Sequence, residues 1–399
     1  MKWKVTIKII VFFIFICLFF NVVVEANEQE FFEEFSKNEF INNKLNELNL
    51  EDLEKEISQI SEYKENVLID IDIKKLIYGL MNGDINLNYK KMMKNLMYFL
   101  GQEITINLQL LAQVIILAVI SAVFRTFHES FSSKTISQTA ELIVFLILSL
   151  ILLQSFQTAM EIAANTIDII VSFMQALLPV LLALLISMGA ITSAAFFKPF
   201  TYVLMSFFST LIKTTVLPMI FVSCILYVVD NINDQINISK FAKFFREIAY
   251  IIIALILISF IGILVLRGGT AAIADSLTLR TAKYLTGTFV PVIGGFFADA
   301  AGLIVSCSLI IKNALNIFGV IIVIFIAINP VLKIAVLIII YKIAILIVQP
   351  IAGNRLLNIL ENIKDNLISI FVVLLTATFI FFVCIAVIAG TANLTVMMR

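Results

Sequence analysis

One histidine in 399 residues removes much of the chemistry that soluble enzymes rely on. His128 has no cluster of metal-ligand partners, so a hydrolytic or metal-dependent centre is not expected. Four cysteines are too scattered for a disulfide framework. Cys17 lies in the N-terminal apolar run, while Cys224, Cys307 and Cys384 fall in separate apolar segments and read as small buried hydrophobes. A phosphate-binding loop is also missing. The residues around Gly268-Gly269 lack the Lys-Ser/Thr of such a loop and do not follow a strand, so the chain is not expected to hydrolyse nucleotides. No basic patch marks a nucleic-acid surface. Neither a cofactor nor an enzymatic activity is expected. Charge of either sign is scarce, at 14% of residues.

Apolar side chains fill the space that charge leaves. They make up 61% of the chain, and the mean hydropathy is +1.05. Soluble domains run about 45–50% apolar, so this is a polytopic membrane protein. The long apolar runs predict an all-α fold, because a helix satisfies its own backbone polar groups in lipid.

The few charges are unevenly placed. Residues 27–98 carry 15 acidic and 9 basic side chains, while residues 99–399 carry 12 and 16. Three domains follow. Residues 1–26 read as a signal peptide: Lys2, Lys4 and Lys8 precede the apolar run from Ile9 to Val24, and Val24-Glu25-Ala26 offers small residues at −3 and −1 of a cleavage site. An uncleaved anchor helix is the alternative. Residues 27–98 read as a small acidic helical domain outside the cytoplasm, with Leu45, Leu48, Leu53, Ile57 and Ile60 at helical spacing. A bundle of two to four helices that leans on a partner or on the membrane surface is expected there. Residues 99–399 form the polytopic membrane domain.

Membrane spans are expected near 104–124, 141–159, 167–188, 199–229, 248–266, 288–311, 314–329, 331–348 and 367–389, giving seven or eight crossings. Lys213 and Pro218 within 199–229, and Asn329-Pro330 between two short segments, predict broken or re-entrant helices. The chain also repeats itself. Leu178-Pro179-Val180 corresponds to Val290-Pro291-Val292, and Pro218 to Pro330, both at a shift of 112 positions. Two copies near 133–229 and 239–348 follow, with inverted topology if each crosses three times. The positive-inside rule places the loops 125–134, 189–198 and 267–283 in the cytoplasm and 230–247 outside.

The region 267–300 is the most unusual membrane segment. It carries Arg267, Asp275, Arg280, Lys283 and Asp299 among small residues, and intramembrane ionisable groups are expensive and usually functional. Proline and small residues dominate two equivalent places, 177–199 and 289–308. They supply the remaining candidate pore or gate residues, Pro179, Gly189, Pro291, Gly294 and Gly295. Tight helix packing explains the small residues equally well. Lys312, Lys213, Lys333, Lys342 and Asp168 read most simply as snorkelling or boundary charges, and KFAKFFRE (240–247) as an interfacial amphipathic helix that contacts lipid.

The motif AAIADSLTLRTAKYLTGTFVPVIGGFFADA, with Cys307-Ser308 and Lys312-Asn313 after it and LLPVLLALLISMGAITSA upstream, resembles the stage III sporulation protein AE family. The order of signal peptide, acidic domain and apolar region resembles that family too. The resemblance implies a multi-pass protein of the mother-cell membrane around the forespore, part of a conduit needed for endospore formation after engulfment. It implies partners among the other stage III A-operon proteins, including an ATPase and ring-forming membrane proteins, and indirectly stage II sporulation protein Q. No catalytic residue carries over. A channel-forming role is the expected function. A self-contained secondary transporter of a small metabolite and a structural membrane scaffold are the alternatives.

Overall fold

The computed structural model describes residues 51–62, 79–80, 89–130, 134–232, 238–289 and 294–397. The expected signal peptide and most of the acidic domain lie outside them. Every described residue is helical, in a turn or in a short connection, with no strand among them. The elements are α1 (Glu51–Glu62), α2 (Tyr89–Ser130), α3 (Lys134–Ser187), α4 (Ile191–Leu211), a π-helical turn (Ile212–Val216), α5 (Leu217–Asp230), α6 (Ser239–Phe289), α7 (Gly294–Val348) and α8 (Asn354–Met397). α1 packs against α3 with Leu53 and Ile57 buried.

Among the described residues, six helical runs are long and apolar enough to cross a membrane: 93–124, 139–187, 191–230, 239–281, 304–348 and 354–391. This corrects the seven or eight crossings expected. The segments 141–159 and 167–188 are one helix, and 314–329 and 331–348 are one helix with most of 288–311 ahead of them. The expected break at Asn329-Pro330 is absent, and Pro179 does not interrupt α3 either; both prolines sit inside continuous helices. A proline removes one i→i−4 bond and crowds one carbonyl. The flanking turns of α3 and α7 are buried against their neighbours and stay helical. Pro218 is accommodated differently. It stands at the start of α5, and the helix widens to π geometry just before it, away from the carbonyl four residues back. The run 191–230 is therefore one helix with a bulge, not two broken pieces.

The connections fix the topology. Ser187 Oγ reaches Ser308 Oγ at 2.9 Å, and Tyr341 Oη donates to the Leu152 carbonyl, so α3 and α7 run antiparallel. A Cβ on Gly319 would stand 2.6 Å from Leu177 Cδ2, which shows how closely these two helices approach. Phe197 faces Gly268, Phe208 stacks edge-on with Phe260 at 5.5 Å, and Ser223 Oγ donates to the Ala242 carbonyl at 2.7 Å. The α4–α5 run thus descends along α6. Tyr250 meets Ser369 at 2.7 Å, and Thr391 lies against Gly268, so α8 runs parallel to α6. α2 lies against α3 and α7, where Lys333 Nζ sits 3.3 Å from Glu103 Oε1. Each presumed repeat holds two long helices and not three, so on this count the copies run parallel, not inverted. A continuous α3 also puts the loops 125–134 and 189–198 at opposite ends, where a common side was expected.

The level of the hydrocarbon core is legible on α6. Residues 248–266 run uncharged between Glu247 and Arg267, about 28 Å at 1.5 Å per residue, close to the thickness of a bilayer core. The contacts above carry that level across to roughly 199–222 on α4–α5 and 367–390 on α8. Large apolar side chains such as Leu255 and Ile258 project outward there.

Candidate functional site

α3 is the most deeply packed of the six membrane helices. A helix at the centre of a bundle needs no polar face, yet α3 has one. Between residues 151 and 178 it exposes Gln154, Gln157, Thr158, Glu161, Asn165 and Asp168, and every one is polar. Half-buried Ser172 and Gln175 and exposed Pro179 extend the line. Gln154, Thr158, Glu161, Asn165, Asp168, Ser172, Gln175 and Pro179 alternate at spacings of four and three. That spacing keeps them on one slowly winding stripe, about 38 Å long. Pro179 adds to its polarity, because the missing N–H leaves the helical bond to the Gln175 carbonyl unmade.

A second polar line faces it from α4 and the π-helical turn that follows. Tyr202, Ser206, Thr210 and Thr214 are exposed at a spacing of four. The two lines are clasped by one ion pair: Lys213 Nζ donates to both oxygens of Asp168 at 2.6 Å. Lys213 belongs to the π-helical turn, and π-bulges are frequent at functional sites. The pair lies near mid-level of the hydrocarbon core. Phe156 stacks on Phe221 toward its lower edge, and Phe208 meets Phe260 just above the pair. Both side chains of the pair remain partly exposed, 33% for Lys213 and 50% for Asp168. Behind them is a cavity of about 10 Å³ lined by Ile167, Ser209, Ile212 and Phe260, too small to be a passage. Open polar surface at this depth would be costly against lipid.

A second polar centre is buried at the upper end. Gly189 has φ +84° and turns the chain from α3 into α4. The N-terminus of α4 has no local side-chain cap. Asp275 of α6 supplies one from a distance: Thr192 and Ser193 donate their backbone N–H groups to its two oxygens at 2.7 and 2.9 Å. The carboxylate is 1% exposed, and it complements both the free donors and the positive end of the helix dipole. Leu279, one turn along α6, closes over Gly189. Lys312 is fully buried nearby on α7, donating to the Ala389 carbonyl at 2.9 Å and to Asn393 Oδ1 at 2.8 Å. Ser308, one turn before Lys312, carries the contact to Ser187.

The candidate residues of the sequence therefore separate. Gly189 and Asp275 meet at the α3–α4 turn, and Pro179 stands on the stripe. Arg280 is exposed on α6, just beyond Asp275. Lys283 lies on α6, and Gly294, Gly295 and Asp299 lie in the first turns of α7, where only the backbone is described. Pro291 lies outside the described residues. Lys213 and Lys333, expected to snorkel, form ion pairs between helices. Hydropathy averaging hid the stripe; the alternating four-three spacing of polar residues within an apolar stretch was the signal for it.

The family model for stage III sporulation protein AE matches residues 71–392. That range takes in both polar centres. The chain belongs to the stage III sporulation protein AE family. The stage III sporulation protein AE of Bacillus subtilis (strain 168) is 38% identical over 319 residues, covering 80% of each chain. No solved structure matches. Family membership ties the chain to sporulation, and its six apolar helices make it a multi-pass membrane protein.

Proposed function

We propose that this protein is the membrane-embedded, channel-forming component of the conduit between mother cell and forespore needed for endospore formation after engulfment. The observation that carries the reading is the exposed polar stripe of α3 at the depth of the hydrocarbon core, clasped to α4 by Asp168 and Lys213. Polar surface at that depth is stable when it faces water or protein. The stripe is one wall of an aqueous passage, and the opposite wall comes from a neighbouring subunit of the assembly. The chain has no nucleotide-binding loop of its own, so energy comes from a partner ATPase. The other stage III A-operon proteins, including ring-forming membrane proteins, are the partners, and stage II sporulation protein Q is reached indirectly. The membrane is the mother-cell membrane around the forespore, with residues 27–98 on its extracytoplasmic side.

Cysteine accessibility in sporulating cells tests the passage. Thr158→Cys and Ser172→Cys should react with membrane-impermeant thiol reagents, while Leu255→Cys and Ile258→Cys on the lipid-facing side of α6 should not. Equal protection of all four positions overturns the aqueous passage. Deleting the gene should stop development after engulfment with a shrinking, transcriptionally silent forespore; normal spores would overturn the conduit role.

A further inference from the structure

The charges along the stripe do not cancel. Asp168 is neutralised by Lys213 at 2.6 Å. Glu161, two turns below it, has as its partner the amide of Gln157, whose Nε2 donates to Glu161 Oε1 at 3.0 Å. Among the described residues no lysine or arginine stands within ion-pair distance of Glu161. The cation nearest its level on α7 is Lys333, and it is engaged by Glu103 at 3.3 Å. The remaining stripe groups are amides and hydroxyls without charge. The facing line on α4 and the π-helical turn adds Tyr202, Ser206, Thr210 and Thr214, again uncharged, and ends one turn above Tyr202 in exposed Lys198, at the upper end of the stripe. Within two turns of the Asp168–Lys213 pair the passage thus carries one uncompensated charge per chain, and it is negative. An amide that donates to one carboxylate oxygen leaves the other free to accept from the passage.

We propose that the passage selects small hydrated cations over anions, with Glu161 as the selectivity-determining residue. This rests on the aqueous-passage reading above. A charge at the edge of a low-dielectric slab focuses counter-ions and repels co-ions. The neutral amides and hydroxyls above it replace water for either sign and do not discriminate. The paired Asp168 and Lys213 offer both charges at mid-level and hold α3 to the π-helical turn after α4 without biasing the sign. The stripe has no apolar or aromatic ring on the α3 side, so hydration and charge, not shape, decide what enters.

The test uses the full chain in membranes from sporulating cells that hold the assembled complex. Asn165→Cys, one turn above Glu161, supplies the reporter, since the described native cysteines Cys224, Cys307 and Cys384 are buried. Two methanethiosulfonate reagents of similar size, one bearing trimethylammonium and one sulfonate, are applied separately and their rates compared with those for a free thiol. The cationic reagent should be favoured by about tenfold beyond its free-thiol ratio, the lower end of what a charged cleft provides. In the Asn165→Cys/Glu161→Gln double variant the ratio should fall to the free-thiol value, while both reagents still react. Reaction with both reagents at the free-thiol ratio, unchanged by Glu161→Gln, overturns the cation preference and leaves the aqueous passage standing. No reaction with either reagent overturns the passage and this inference together.

Discussion

Two polar regions sit in the same apolar bundle and are built on opposite rules. At the α3–α4 turn, Asp275, Lys312, Ser187 and Ser308 are buried or half-buried, and each has protein partners at 2.7–2.9 Å. On the α3 stripe, Glu161, Asn165 and Asp168 are exposed at a depth where lipid would be the expected neighbour. The first region is polar because the backbone there would otherwise be unsatisfied: the chain turns, α4 begins without a cap of its own, and a remote carboxylate completes it. The second serves no such need, because the α3 backbone is already helical throughout. Its polarity answers to something outside the chain. Equal polarity therefore means architecture in one place and contact with water or a neighbour in the other.

The largest effect expected on stability comes from unpairing the clasp. Lys213→Leu leaves Asp168 without its partner near mid-membrane, where an isolated carboxylate costs about 3 kcal/mol. Protein recovered in the membrane should fall several-fold. Adding Asp168→Asn should restore most of it, because no charge is then left unpaired. If the single and double variants accumulate equally, Asp168 is sheltered from lipid without Lys213, and the pair is not what holds α3 to α4. Next in size is Asp275→Ala, which strands the Thr192 and Ser193 N–H groups in a buried site. Loss of a charge-assisted cap of this kind costs about 2 kcal/mol. Thermal unfolding in detergent should show it, and activity should fall only as far as folded protein does. Smaller again is Gly189→Ala, at about 1 kcal/mol, since alanine adopts φ +84° poorly while Leu279 can swing away from the added methyl. An unchanged melting temperature in either variant would remove the turn's structural role and collapse the contrast between the two regions.

The two regions also differ in how far they could be read from the residues alone. Hydropathy was enough for the helical class and for most of the apolar segments, because lipid leaves the backbone few alternatives. It divided α3 and α7 too finely. Polar residues inside a long helix lower a window average as a true loop does, and Pro179 and Pro330 look like breaks unless the burial of the flanking turns is known. Asp275 stands out in sequence as a charge in an apolar setting. Its role in capping a helix more than eighty positions away rests on tertiary contact that no local pattern contains. Gly189 reads as one small residue among several, since its left-handed conformation belongs to the turn and not to its neighbours in sequence. The stripe is the reverse case. Its four-three spacing is a local pattern, present in residues 154–179 throughout, and a search for polar periodicity would have found it.

The finest discrimination comes from a substitution expected to leave stability alone. Ser172→Leu adds apolar surface to a half-buried position on the stripe, within the hydrocarbon level. If the stripe met lipid, leucine would be neutral or favourable for both folding and activity. If it lines a passage, leucine should leave the protein folded, within about 0.5 kcal/mol of the parent as is usual for substitutions away from buried networks. The polar line would then be interrupted between Asp168 and Gln175, and water would be lost from a narrow apolar constriction. Heat-resistant spore counts should fall by orders of magnitude at unchanged protein level. Ser172→Thr, which keeps the hydroxyl, should restore them. Leu255→Ser, a change of the opposite sense on the lipid face of α6, should lower protein level without a separate effect on the activity of what remains. A Ser172→Leu strain that sporulates normally would turn the stripe toward lipid and remove the aqueous passage, and with it the contrast between the two regions.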